Sequence, residues 1–224
     1  MPQYDAQDAP PTPSRHEIRF SAAERLTFFT DAVAAIALTL LAIELPVPDG
    51  DSTSEILRSA RAHFDEYLAF VISFLVIAAH WRFHHGLFRF VRHVSSQVIS
   101  INFGWLFLLV ITPFTTKMIS FGHGNALRFG TYAATEALQF GLFAVMIVVI
   151  LRQRLLHPGV DPARLKATLW HVIPLSGAFA ISIPVYVVIG GKAFWLWALV
   201  PIVTGIISRR GLDRSGRQGD LVDD

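Results

Sequence analysis

No cysteine occurs among the 224 residues of this chain, and charged residues make up only 16% of it. The first absence excludes disulfides, thiol catalysis and thiolate metal sites. The second argues against an ordinary soluble domain, in which about a quarter of the residues are charged. A formal net charge of only +2 gives no indication of a nucleic-acid partner.

Apolar residues make up 53% of the chain and are concentrated in long blocks. A helix that crosses a bilayer needs about 20 such residues. The pattern predicts an all-α integral membrane protein in contact with lipid. Its six transmembrane helices are expected at 25–46, 64–90, 97–119, 129–151, 168–190 and 193–208. The segment 52–62 is expected to be a polar extension of the second span or an interfacial turn.

The two ends of the chain are polar. Residues 1–22 are rich in proline and have no apolar core after an early basic cluster, so we expect a flexible tail and not a signal peptide. Residues 209–224 are expected to form a second flexible tail. Residues 23–208 then form one six-helix transmembrane domain.

The distribution of Lys and Arg predicts the orientation of this domain. Fourteen of the 19 Lys and Arg residues fall on the side of the predicted bilayer that carries both termini. The positive-inside rule therefore places the N and C termini, and both tails, in the cytoplasm. The first outer loop, around Asp49 and Asp51, is acidic. It is either an ordinary solvated loop or a means of concentrating cations near an outer mouth.

The first predicted span carries two ionisable residues, Asp31 and Glu44, which are costly within a membrane. On a helical wheel, Ile36, Leu40 and Ile43 form one narrow apolar stripe, and Asp31 lies about 140° away from it. The stripe is explained by helix packing, by lipid contact or by a more specific role. A structural interpretation of Asp31 is a buried carboxylate that is hydrogen-bonded to neighbouring helices.

Histidines cluster at the end of the second span, in the segment His80-Trp81-Arg82-Phe83-His84-His85. This spacing is found in one histidine box of the membrane di-iron oxygenases, but those enzymes need several such boxes. The other six histidines are isolated, so no enzyme, catalytic residue, metal site or cofactor is predicted. An electrostatic alternative places Arg25, Asp31 and His84 in one cluster at a similar depth.

Three segments together resemble a known family. They are the first span from Arg25 through Phe29-Thr30-Asp31, the segment 73–77, and Trp81-x-x-His84-His85. They are similar to the transmembrane protein 175 (TMEM175) family of endosomal and lysosomal potassium channels, in its single-repeat prokaryotic form. This form implies a location in the prokaryotic inner or plasma membrane. The family signature Phe-Ser-Asp reads Phe-Thr-Asp here, which keeps the hydroxyl. The resemblance is specific over the first two spans and rests on topology and pattern beyond them.

The resemblance implies a homotetramer whose central pore is lined by the first helix of each subunit. It places the constriction at Ile36, with further apolar layers at Leu40 and Ile43, and assigns a part in cation selectivity to Thr39. The permeant ions are K⁺ and other monovalent cations. The chain contains no Thr-Val-Gly-Tyr-Gly filter segment, as is also the case in the family.

The resemblance also implies a hydrogen-bond network between helices. Its members in this chain are the signature residues with one arginine and one histidine: Arg25, Phe29, Thr30, Asp31 and His84.

The function predicted from these features is a potassium-permeable cation channel with modest selectivity for K⁺ over Na⁺, gated by a hydrophobic ring. Residues 23–208 are then the channel domain. The main alternative is a proton-coupled or other secondary transporter that uses Asp31, Glu44 and His84 as a relay. A third possibility is a structural membrane protein that transports nothing.

Overall fold

The computed structural model describes residues 15–120, 125–194 and 196–197, with the side chains of 15–21 and 194 excepted. Within these ranges the chain forms six α-helices followed by a short 3₁₀ segment. Their bounds are α1 Arg15–Ile43, α2 Thr53–Ala62, α3 Phe64–Phe88, α4 Ser96–Ser120, α5 Ala126–Arg152, α6 Pro162–Ile189 and the 3₁₀ segment Gly190–Phe194.

Five of these helices are long and apolar enough to cross a membrane: α1, α3, α4, α5 and α6. They correspond to the first five predicted spans. Helix α1 begins before the predicted first span, and α6 begins at Pro162, ahead of the predicted start at 168. Asp161 explains the early start of α6, because its side chain accepts a hydrogen bond from the N–H of Ala163 and proline suits the first helical position. Three parts of the prediction lie outside the described residues: 198–208 of the sixth span, 1–14 of the N-terminal tail and the whole C-terminal tail, 209–224.

The segment before the second span forms a separate short helix, α2, and not an extension of α3. A capping box begins it. The Ser52 hydroxyl accepts from the Glu55 N–H, and the Glu55 carboxylate accepts from the N–H groups of Ser52 and Asp51 at 3.1 and 3.0 Å. The Ser52 side chain, followed by these N–H donors, lowers the pKa of Glu55. Gly50 precedes the cap with φ +142°, a conformation that favours glycine.

The helices pack in a simple order. Helix α1 lies against α3 and α4, α4 lies against α5, and α5 lies against α6. The loops after α3 and α5 meet at one end of the bundle, where the Arg92 N–H donates to the Leu155 carbonyl at 2.9 Å and the His157 N–H donates to the Phe90 carbonyl at 3.0 Å. The centre of the core consists of large side chains from α4 and α5, among them Trp105, Leu109, Phe129, Phe143 and Met146.

Helix α1 buries only one of its faces against α3 and α4. The buried residues recur every three or four positions, as expected for one helical stripe: Ala23, Leu26, Thr30, Ala34, Ala37 and Leu41. Most of them are small, which lets neighbouring helices approach closely within a membrane. The face that carries Ile36, Leu40 and Ile43 is left exposed among the described residues of the same chain.

Candidate functional site

The apolar stripe predicted from the helical wheel lies on the exposed surface of α1. Ile36, Leu40 and Ile43 are 57%, 40% and 77% exposed in the isolated subunit. Thr39 lies beside them, also exposed, and its hydroxyl donates to the Ile36 carbonyl at 2.8 Å. The structure therefore brings these four residues together on one surface and keeps them out of the subunit core.

This surface is turned away from the rest of the subunit. The buried stripe of α1 is centred about 120° around the helix from Ile36. Large apolar side chains on such a face meet either lipid or another protein chain. Asp31 lies on the opposite flank of the buried stripe, so the carboxylate and the apolar stripe have different surroundings.

A buried polar chain connects α1 to α4 and α3. Asn102 Nδ2 donates to Thr30 Oγ1 at 3.1 Å, and the Asn102 carbonyl oxygen accepts from His84 Nε2 at 2.8 Å. All three side chains are fully buried. With the amide oriented in this way, His84 carries its proton on Nε2. The imidazole stacks between the rings of Phe88 and Trp105, with centroids 4.3 and 5.0 Å away. Three helices are thus held in one register by complementary hydrogen bonds.

Asp31 has a separate partner. It is half-buried, and its Oδ1 accepts a hydrogen bond from Trp81 Nε1 of α3 at 2.9 Å. Arg25 is exposed, and Phe29 is half exposed with its ring 5.9 Å from that of Phe103.

The direct contact expected between Asp31 and His84 is therefore replaced by two separate contacts among the described side chains. His84 points to α4, where the Asn102 amide supplies an acceptor within the core. Asp31 lies at the flank of α1, where the indole of Trp81 supplies a donor.

Glu44 lies at the other end of α1. Its carboxylate is paired with the Lys117 ammonium of α4, and each side chain is about half exposed. Close by, the Tyr67 hydroxyl donates to the Pro46 carbonyl at 2.9 Å and ties the end of α1 to α3. Asp31 is about 20 Å away along the helix axis. The structure does not bring the two carboxylates of the predicted relay together.

Sequence reasoning missed a second buried polar cluster. His80 Nε2 of α3 lies 3.0 Å from Glu136 Oε2 of α5, and the side chains are 1% and 0% exposed. Gln139, one turn further on the same face of α5, is also fully buried. The sequence contained a signal for this cluster, because Glu136 and Gln139 are three residues apart inside the predicted fourth span. An ionisable residue in a span is a functional candidate by default.

A third set of buried hydroxyls lies nearer the end of the bundle that carries the Glu44–Lys117 pair. Thr116 Oγ1 of α4 donates to Ser73 Oγ of α3 at 2.8 Å, and Ser73 in turn shares a hydrogen bond of 3.2 Å with the Tyr132 hydroxyl of α5. These contacts link α3, α4 and α5 at a second level.

In the part of the chain that the structure describes, no group of three or more His, Cys, Asp or Glu side chains could hold a metal ion. The two histidines considered as part of a metal-binding box have different partners: His80 pairs with Glu136, and His84 bonds Asn102.

Comparison with known families supports the resemblance noted in the sequence. The family described as the endosomal/lysosomal potassium channel TMEM175 matches residues 25–113. This segment contains the whole apolar stripe of α1 and all three members of the Thr30–Asn102–His84 chain.

Two curated bacterial relatives are named as potassium channels. The chain is 30% identical over 128 residues to one from Chryseobacterium sp. strain P1-3, covering 57% of this chain and 65% of the relative. It is 34% identical over 96 residues to one from Streptomyces collinus, covering 43% of this chain and 47% of the relative. The matched segments span just under two thirds and about half of the lengths of these relatives.

Among solved structures, the crystal structure of a lysosomal potassium-selective channel TMEM175 homologue from Chamaesiphon minutus shares the fold. Its TM-score is 0.71 at 22% sequence identity, covering 84% of this chain and 98% of that one. The fold, the family match and the bacterial relatives agree with one another. Over residues 25–113 this chain is similar to the TMEM175 family, and with its five long apolar helices it is a multi-pass integral membrane protein.

Proposed function

We propose that this chain is the subunit of a potassium-permeable cation channel, a homotetramer in which α1 of each subunit lines a central pore. The observation that carries the proposal is the exposed stripe of Ile36, Leu40 and Ile43, which faces away from the core of its own subunit. One subunit that offers a single pore-facing helix needs symmetry mates to close a pore. The relatives named as potassium channels support the choice of K⁺.

In this arrangement, four copies of Ile36 form a ring that is too narrow and apolar for a hydrated ion. Such a constriction closes by dewetting. Leu40 and Ile43 add apolar layers one and two turns further toward the outer side. A small rotation or dilation of α1 admits water and opens the pathway.

Selectivity in the proposed pore comes from partial dehydration and not from a ring of backbone carbonyls. The Thr39 hydroxyl lies beside the apolar layers on the exposed face of α1. In the described conformation it bonds the Ile36 carbonyl. We infer a modest preference for K⁺, since the smaller Na⁺ holds its water more tightly. K⁺ is the permeant ion and not a cofactor.

The buried polar chain gives α1 a fixed position behind the pore. Thr30 is held by Asn102, and Asn102 is held by His84, so the face opposite the pore is anchored to two helices. With both termini in the cytoplasm, this anchor and Asp31 lie toward the cytoplasmic side and Glu44 toward the outer side.

A secondary transporter with Asp31, Glu44 and His84 as its relay has less support. Asp31 bonds Trp81, Glu44 pairs with Lys117, and His84 bonds Asn102. Three groups with separate partners, two of them about 20 Å apart along one helix, do not form a continuous proton path.

Reconstitution into planar bilayers tests the proposal. With opposed K⁺ and Na⁺ gradients, we expect unitary current steps and a reversal potential displaced toward that of K⁺. Reversal at the chloride potential, or no current from protein that is folded and inserted, would contradict it. Saturable flux with strict ion coupling would favour the transporter. Native mass spectrometry of the purified complex is expected to give the mass of four chains.

A further inference from the structure

A cavity of about 440 Å³ lies between α3 and α5, at the end of the bundle that carries the Glu44–Lys117 pair. Both helices pack on α4 but make few contacts with each other, which leaves a space between them. Most of the cavity surface is apolar, and its walls include Leu68 and Ile72 of α3, Phe129 of α5, Tyr186 of α6 and Trp197. The volume falls in the usual range of small-molecule sites, about 300–1,000 Å³.

The polar residues of the cavity are gathered mainly at the ends of the helices. Asp65 is the second residue of α3, Ser120 is the last residue of α4, Asn125 caps α5 and Arg128 is the third residue of α5. Because α3 and α5 are long enough to span a membrane, their ends lie at the depth of the lipid headgroups. The cavity therefore has a polar mouth at headgroup depth and apolar walls at the depth of the acyl chains.

The inner end of the cavity places no polar demand on an occupant. Its two hydroxyls, those of Ser73 and Tyr132, share a hydrogen bond of 3.2 Å, and Thr116 donates to Ser73 at 2.8 Å. Burying a polar group without a hydrogen-bond partner is costly, whereas an alkyl chain gains free energy by leaving water. An alkyl chain therefore suits the interior better than a polar molecule does.

The mouth carries two charges of opposite sign. Arg128 is partly exposed, and no carboxylate among the described residues forms an ion pair with its guanidinium. Asp65 is exposed at the same mouth and is not paired with Arg128. A guanidinium binds phosphate through charge-assisted hydrogen bonds that are often bidentate. A headgroup that carries both a phosphate and an amine complements the two charges, whereas an additional negative charge would be repelled by Asp65.

We propose that this cavity binds a membrane phospholipid of the phosphatidylethanolamine type. One acyl chain fills the apolar interior, the phosphate binds Arg128 and the ammonium faces Asp65. The cavity is formed within one subunit and on other helices than the exposed face of α1. The lipid site therefore does not depend on the proposed channel activity.

Native mass spectrometry of the full chain, released from nanodiscs, tests the headgroup. We expect the wild type to retain phosphatidylethanolamine in preference to phosphatidylglycerol with the same acyl chains. Arg128→Gln is expected to lower the retained phosphatidylethanolamine several-fold. Arg58→Gln is the matched control, because it removes an exposed arginine of α2 that does not line the cavity, and it is expected to retain lipid as the wild type does. Equal retention in the wild type and Arg128→Gln, or an equal loss in the control, would overturn the phosphate contact.

The acyl chain is tested separately with Ala69→Phe, which places a ring among the residues that line the cavity. This variant is expected to retain less of both lipids, and unchanged retention would overturn the chain-filled cavity. An experimental structure of the wild type in lipid does not depend on the folding of any variant. It is expected to show elongated density between α3 and α5 that ends beside Arg128, and a cavity that holds only water would overturn the lipid site.

Discussion

Asn102 of α4 donates a hydrogen bond to the Thr30 hydroxyl of α1 across 3.1 Å, and both side chains are fully buried. Because the same amide accepts from His84 of α3, it satisfies two helices at once. Thr30 lies on the face of α1 that is turned away from the apolar stripe. The contact therefore fixes the rotation of α1 and, with it, the direction in which Ile36 points.

Asn102→Leu is expected to lower the free energy of unfolding by about 1–3 kcal/mol, because it leaves Thr30 and His84 buried without a partner. The measurement is the midpoint of SDS-induced unfolding of the purified protein. Phe107→Leu is the matched control, since Phe107 is on the same helix but is 64% exposed. An equal loss of stability in both variants would show that the buried amide contributes no more to the free energy of unfolding than an exposed side chain does.

Ile36→Asn is expected to raise K⁺ flux several-fold in reconstituted liposomes, since a polar ring keeps water in the constriction. The matched control is Ile173→Asn on α6, because Ile173 has the same exposed fraction, 57%. Flux that is unchanged by Ile36→Asn, or raised equally by the control, would remove the gate assignment.

Thr39→Ala is expected to move the reversal potential, measured with K⁺ on one side and Na⁺ on the other, toward zero. The substitution removes a hydroxyl that lies beside the apolar layers. Thr39→Ser keeps the hydroxyl and is expected to retain the wild-type potential. If the two variants reverse at the same potential, the hydroxyl has no part in selectivity.

Asp31→Asn is expected to leave ion flux within about twofold of the wild type, because the amide oxygen still accepts from the Trp81 indole. Trp81→Phe removes the donor and is expected to cost about 0.5–1.5 kcal/mol of stability. Liposome flux and SDS unfolding of both variants check these outcomes. Complete loss of flux in folded Asp31→Asn would favour the relay of a transporter over a structural carboxylate.

Lys117→Met is expected to lower the free energy of unfolding by less than about 1 kcal/mol, since its pair with Glu44 is about half exposed. The effect should shrink at high ionic strength because salt screens exposed charges. Exchange of the two residues, Glu44→Lys with Lys117→Glu, is expected to recover most of the loss. A large loss that does not respond to salt would show that the pair is buried in the assembled protein.

The long helices and the faces of α1 could be predicted from the sequence, because both follow from length and periodicity. Twenty or more apolar residues specify a span, and the spacing of Ile36, Leu40 and Ile43 specifies a stripe. The family match confirmed the resemblance carried by the Phe29-Thr30-Asp31 signature.

The partners of the polar residues could not be predicted in the same way. Depth, complementary chemistry and the family resemblance placed Asp31 beside His84, but the direction of each side chain depends on how α3 and α4 are rotated. That rotation is set by packing between residues far apart in the sequence. The separate helix α2 was also missed, although the serine and glutamate of its capping box are three residues apart. Glu136 and Gln139 were visible inside an apolar span and required only that the span be read residue by residue.

The alanines on the inner face of α1 have a consequence for the width of the proposed pore. Ala34 and Ala37 are each 1% exposed, so their methyl groups are enclosed by the helices behind α1. A side chain larger than a methyl group at these positions is expected to push α1 outward, in the direction that the stripe faces. The bore of the proposed channel is therefore set as much by the thickness of the layer behind the helix as by the side chains that would border the ions.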